Sequence, residues 1–112
     1  MPEAPLRGDI VAAALPGDYG KPRPVLIVQS DTFLDCPSVT VLPLTSAIRD
    51  VDLTRQRVGP GPQNGLRLPS DVMIDKPVTI PRGKIGPRIG RLDAATLLEV
   101  DRRLAVFLGI AA

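Results

Sequence analysis

Residues 21–30, KPRPVLIVQS, constrain this chain more than any other stretch. An apolar run, Val25 to Val28, directly follows Pro24, and such a Val- and Ile-rich run bounded by turn residues reads as a buried strand. Neither Pro22 nor Pro24 can donate a ladder hydrogen bond, so we expect the strand to begin no earlier than Pro24 and to run over residues 24–29. Arg23 then sits at the mouth of a core strand, its backbone restricted on both sides. Two readings follow. Arg23 is an exposed charge at a strand end, or two prolines aim one guanidinium.

The rest of the chain supplies partners for that strand. Thirteen prolines and ten glycines in 112 residues favour short strands joined by tight turns. Residues 10–14 read as a first strand, after Arg7-Gly8-Asp9, and residues 15–20 as a loop. Residues 38–44 form a third strand, in which Pro43 marks an edge or a bulge. Residues 53–58 read as a half-exposed strand, and residues 65–68 and 71–76 as short strands, the last extended by 78–80. Residues 82–91 are irregular or a short, bent strand. The chain then closes with a helix capped by Asp93, carrying Leu97, Val100, Leu104, Phe107 and Leu108 at helical spacing and stopped at Gly109. We expect one domain, residues 1–112, mainly β with one C-terminal helix: a small, partly open antiparallel barrel of roughly five to seven strands.

Composition narrows the chemistry. There is no histidine, so the commonest general acid/base and metal ligand is missing. Cys36 is the only cysteine, which rules out an internal disulfide and argues against a zinc site or a Cys–His nucleophile. Catalysis must use carboxylates, Arg, Lys, Tyr or hydroxyls. No cofactor is expected. With no leader-like start and no long apolar run, the sequence reads as cytoplasmic, without a membrane partner.

The net charge is only +2, but Lys76, Arg82, Lys84, Arg88 and Arg91 follow one another with no acid between Asp75 and Asp93. Such a run is a phosphate footprint or a solvated surface. Thr45-Ser46, at the exit of the third strand, can satisfy local backbone groups or hold an oxyanion. Tyr19, the only tyrosine, lies on the loop before Arg23; packing down is its default, and a stacking face the alternative. Asp18 beside it is a second acid near Arg23.

RGDIV near the N-terminus, KPRPVLIVQSD, the strand ending PLTS, the segment VMIDKPVTIP and the terminal helix together resemble the MazF/PemK (Kid) toxins of type II toxin–antitoxin systems. The resemblance implies a small, twisted, SH3-like barrel that works as a homodimer. It also implies a metal-independent endoribonuclease that cuts single-stranded RNA, leaving a 2′,3′-cyclic phosphate and a 5′-hydroxyl, and that is neutralised by a cognate antitoxin. Arg23 matches the family arginine, and Thr45 the hydroxyl of its PxTS motif. Asp75 matches the acid of an R-x-D pair in the Kid branch, whereas Met73 stands at the arginine position. The catalytic set implied is Arg23, Thr45 and Asp75, with Asp18 the alternative base. RNA contacts fall to Asp18, Tyr19, Lys21, Ser46, Lys76, Arg82 and Lys84. CcdB-like gyrase binders share the architecture and form the alternative; they need no Arg23 beside Thr45.

Overall fold

The computed structural model describes residues 4–50 and 52–112. Among them run β1 (Asp9–Ala14), β2 (Pro22–Ile27), β3 (Ser38–Thr45), β4 (Arg55–Val58), β5 (Ser70–Met73), β6 (Val78–Pro81), β7 (Arg88–Arg91) and α1 (Ala94–Phe107). Every strand pairing is antiparallel. The spatial order is β4-β5-β3-β2-β1-β7, with β6 also on β3. The sheet curls into a half-barrel, with α1 packed on one of its two core clusters. This is the mainly β architecture expected.

The prolines fix where pairing stops. Gly8 N donates to Ile27 O at 2.8 Å, so odd residues of β2 turn their backbone groups toward β1. Val28 N donates to Thr40 O at 3.3 Å, so even residues turn toward β3. Pro22 and Pro24 thus face β3, whose register with β2 begins only at Val25–Pro43. Their missing N–H groups cost no ladder bond, and β2 extends back to Pro22, opposite Ala14. The expected start at Pro24 is corrected on that ground, and the strand ends at Ile27 rather than residue 29.

Pro43 sits at a change of partner. The outer edge of β3 pairs with β6 as far as Val41–Val78, and with β5 from Leu44–Val72 onward. Pro43 falls in the gap, where its absent donor is not needed. Residues 78–80 are therefore not an extension of β5: residues 74–75 turn the chain and β6 returns to the other half of β3.

Alternation in β1, β2 and β3 feeds two cores. Ile10, Leu26, Leu42 and Leu44 face one cluster with Val72 and Val100. Val11, Val25, Ile27 and Val41 face the other with Ile80. Full burial of each such side chain stabilises by roughly 1.5–3 kcal/mol. Leu97 and Leu104 of α1 pack on the first cluster. Phe107 and Leu108, expected on the same stripe, are instead 46% and 53% exposed, so the stripe that packs on the sheet ends at Leu104. Asp93 caps the helix, accepting from Thr96 N at 3.0 Å, and Gly109 ends it at φ +76°.

Two further expectations change. The strand at 53–58 starts only at Arg55, after a turn at Leu53 and Thr54. Residues 65–68 are a loop, not a strand. Asn64 Oδ1 accepts from Leu66 N at 2.9 Å and from Gly61 N at 3.1 Å, so a side chain replaces the ladder. Gly65, at φ +71°, passes so close to β7 that a Cβ would lie 2.2 Å from Ile89 O.

Candidate functional site

Arg23 does not wave in solvent. Its Nε donates to Asp18 Oδ2 at 2.9 Å and its Nη2 to Asp18 Oδ1 at 3.1 Å. This bidentate fork fixes the guanidinium plane. It uses one edge only, leaving both Nη1 hydrogens and one Nη2 hydrogen uncommitted among the described residues. The loop that presents Asp18 is itself tied down: Asp18 N donates to Leu15 O at 3.0 Å, and Lys21 N to Asp18 O at 3.0 Å. Arg23 and Asp18 line a recess of about 320 Å³ with Pro43, Met73, Lys76 and Val78. Part of the basic run, Lys76, therefore meets Arg23 in space.

Thr45 lies at the same end. It stands two residues beyond Pro43 on β3, as Arg23 stands two residues before Val25 on β2, and Val25 and Pro43 are register partners. All four have the same parity, so the two side chains share the face of the second core cluster. The Thr45 hydroxyl accepts from Ala47 N at 3.1 Å, the local bond expected of a Thr in a turn. Its own O–H proton has no acceptor among the described residues. Ser46, next in the chain, lines a separate apolar cavity of about 430 Å³ with Pro24, Leu66, Arg67 and Ile89, on the opposite side of the strand ends.

Asp75 is on the turn after β5, not on the strand, and its Oδ1 is buried with no hydrogen-bond partner. Tyr19 is 97% exposed at φ +54°, so the packing expected of it does not occur. It occupies the tip of a turn between Gly17 and Gly20, which holds its ring away from any core. Lys21 is exposed beside it. Arg82 and Lys84 do not line the recess. Arg82 is taken up by carbonyls, donating from Nε to Cys36 O at 2.9 Å, and Lys84 is exposed on the 3-10 turn between β6 and β7. Arg88 and Arg91 lie 3.2 and 2.9 Å from Asp9 Oδ1 on β1. The basic run is thus divided between two places, and Asp9 offsets part of its charge.

The sequence reading missed the most buried ionic group. Asp71 is fully buried on β5. It accepts from Arg57 Nε at 2.6 Å, Arg55 Nη1 at 3.2 Å and Arg49 N at 3.2 Å. Arg57 also donates to Arg49 O, and Arg55 to Ala47 O at 3.4 Å. One carboxylate with its two arginines therefore holds the loop that follows Thr45. Arg55 and Arg57, two apart on one strand face, were the available signal, since such a pair calls for an acid on the neighbouring strand. Burial pushes the Asp71 carboxyl up, but hydrogen bonds from Arg57 and Arg49 N, the Arg57 charge and the Arg55 bond together hold it below its ordinary 3.8.

Comparison with known proteins decides the family. The description "PemK-like, MazF-like toxin of type II toxin-antitoxin system" matches residues 6–108. The chain belongs to the MazF/PemK toxin family. A curated relative, the probable endoribonuclease MazF of Mycolicibacterium smegmatis, is 51% identical over 106 residues, covering 94% of this chain and 97% of that protein. The Mycobacterium tuberculosis toxin MazF-mt6 superposes with a TM-score of 0.79 at 30% identity, over 93% of this chain and 99% of its own. An endoribonuclease from a Mycobacterial species, solved in complex with its cognate antitoxin, gives 0.80 at 27% identity over 97% and 99%. The register of β4 and β5 puts Arg55 directly opposite Met73.

Asp71 carries a testable pH signature. Its folded-state value lies below the unfolded one, so its stabilisation is complete above the ordinary carboxylate range and is lost as pH falls through the folded value. In urea unfolding near neutral pH, Asp71→Asn is expected to lose on the order of 3 kcal/mol. The gap to wild type should shrink between about pH 5 and pH 3. A gap that does not change with pH would contradict this role.

Proposed function

We propose that this protein is a sequence-selective, metal-independent endoribonuclease toxin that cleaves single-stranded RNA at the Arg23–Thr45 end of β2 and β3. The observation that carries the reading is the Arg23 fork, clamped by Asp18 at the mouth of a recess with its outer N–H edge uncommitted. The 51%-identical probable endoribonuclease supports it. The family match favours it over the gyrase-binding alternative.

The ribose 2′-oxygen attacks the adjacent phosphorus, giving up its proton to a carboxylate. The bond from phosphorus to the 5′-oxygen breaks, and that oxygen takes a proton from water. The products are a 2′,3′-cyclic phosphate and a 5′-hydroxyl. Arg23 is charged at every relevant pH and stabilises the phosphorane oxygens. The free Thr45 O–H donates to a non-bridging oxygen. Both Asp18 oxygens already accept from Arg23, so Asp18 aims the arginine. Asp75, next in the chain to Lys76 of the recess, is the carboxylate left to accept the proton. Lys21 and Lys76 contact the flanking RNA, exposed Tyr19 offers a stacking face, and exposed Lys84 meets a more distant phosphate, whereas Ser46 and Arg82 are engaged elsewhere.

Two partners belong to this reading. One is a second copy of the chain, supported by the exposed Phe107, Leu108 and Ile110 at the end of α1. The other is a cognate antitoxin, as in the mycobacterial complex, whose acidic segment folds onto the basic surface.

In RNA cleavage assays with EDTA present, Arg23→Ala and Thr45→Ala should each lower the rate by about 10²–10³ without unfolding the protein. Asp75→Asn should lose activity and flatten the acid limb of the pH–rate profile, while Asp18→Asn loses activity but keeps that limb. Wild-type cleavage by Arg23→Ala overturns the assignment. Light scattering at micromolar concentration should report a dimer, and a monomer would refute the homodimer.

A further inference from the structure

Continuous register runs across β3, β5 and β4. Thr45 pairs with Asp71, and Asp71 pairs with Arg57. The three side chains therefore stand in one row on one face of the sheet, Arg57 roughly 10 Å from Thr45 at the usual strand spacing. Arg23 lies at the far end of this row, beyond Thr45.

The charges along the row do not balance. Asp71 brings one negative charge to two guanidiniums. The two arginines differ in access: the Arg55 side chain is 11% exposed, the Arg57 side chain 37%. The excess positive charge thus reaches solvent through Arg57. Its Nε faces Asp71, and one Nη2 hydrogen goes to Arg49 O. Both Nη1 hydrogens and the other on Nη2 have no acceptor among the described residues. As at Arg23, one edge of the guanidinium is held by the protein, here by Asp71 and the Arg49 carbonyl, and the other edge is uncommitted among the described residues. A guanidinium so held needs no further ordering to bind a phosphate.

We propose that Arg57 is a second phosphate-binding arginine, which grips a backbone phosphate next to the scissile one and sets the path of the RNA across β3, β5 and β4. The inference rests on the cleavage reading above, because it extends that site. Asp71 is then a positioning residue, acting through Arg57 and through the loop after Thr45.

The test uses the full chain and a single-stranded RNA oligonucleotide spanning its mapped cut site, with a 2′-deoxy ribose at the cut to block cleavage. Binding is measured from low to moderate salt for wild type and Arg57→Gln. Loss of one phosphate contact should weaken binding and make the slope of log K against log salt shallower by about 0.7. A residue that only supports Asp71 would lower thermal stability and leave that slope unchanged, which overturns the proposal. A second measurement needs no variant. In wild-type protein, the Arg57 Nε–H resonance should shift together with that of Arg23 when the 2′-deoxy oligonucleotide is added; an unmoved Arg57 signal also overturns it. Wild-type protein that neither binds nor cuts RNA would instead refute the cleavage reading itself.

Discussion

β3 cannot pair without interruption along its outer edge, because Pro43 has no N–H to give at its middle. The chain resolves this by giving β3 two partners there, β6 before the proline and β5 after it. On the inner edge, Pro24 and Pro22 lie where β3 has already parted from β2. These three prolines split the sheet at one end, so that it curls rather than lying flat. The recess lined by Arg23, Asp18 and Pro43 lies at that split. The recess thus lies where backbone donors are missing.

A split sheet leaves polar groups that need partners, and two carboxylates meet most of that demand. Asp18 closes its own loop and grips Arg23. Asp71, more deeply buried, takes two arginines and a backbone N–H and so fixes the loop after Thr45. A buried ion pair of this kind is weak evidence for stability, since desolvation offsets much of the attraction. What it provides is direction: a guanidinium held by two bonds loses little further freedom on meeting a phosphate. That suits a chain without histidine, in which charge placement must do more than proton transfer.

Much of this was legible in residue order. Short apolar runs marked β1 and β2, the segment SVTVLPL marked β3, and Asp93 and Gly109 bracketed α1. The RP and PLTS motifs pointed to Arg23 and Thr45, which the strand ends bring to one face. The illegible parts depended on long-range pairing. Whether a proline blocks a strand depends on which edge its nitrogen faces, which residues 22–24 alone do not reveal. Residues 65–68 look like a strand, yet the Asn64 side chain takes Leu66 N and Gly61 O takes Gly65 N. The basic run from Lys76 to Arg91 looks continuous, yet Lys76 lines the Arg23 recess while Arg88 and Arg91 pair with Asp9, more than seventy positions before them. Asp71 drew no notice because its arginines sit on another strand.

The central claim is that the Arg23–Thr45 end supports attack by the substrate's own 2′-oxygen. The most direct test replaces one atom of the substrate, not of the protein. Wild-type protein is given two RNAs in EDTA, alike except for a 2′-deoxy ribose on the 5′ side of the mapped cut. The account predicts cleavage of the all-ribose strand to a 2′,3′-cyclic phosphate and a 5′-hydroxyl, and no cleavage at the deoxy position. Cleavage of the deoxy strand at that position, or product ends carrying a 5′-phosphate, would contradict it.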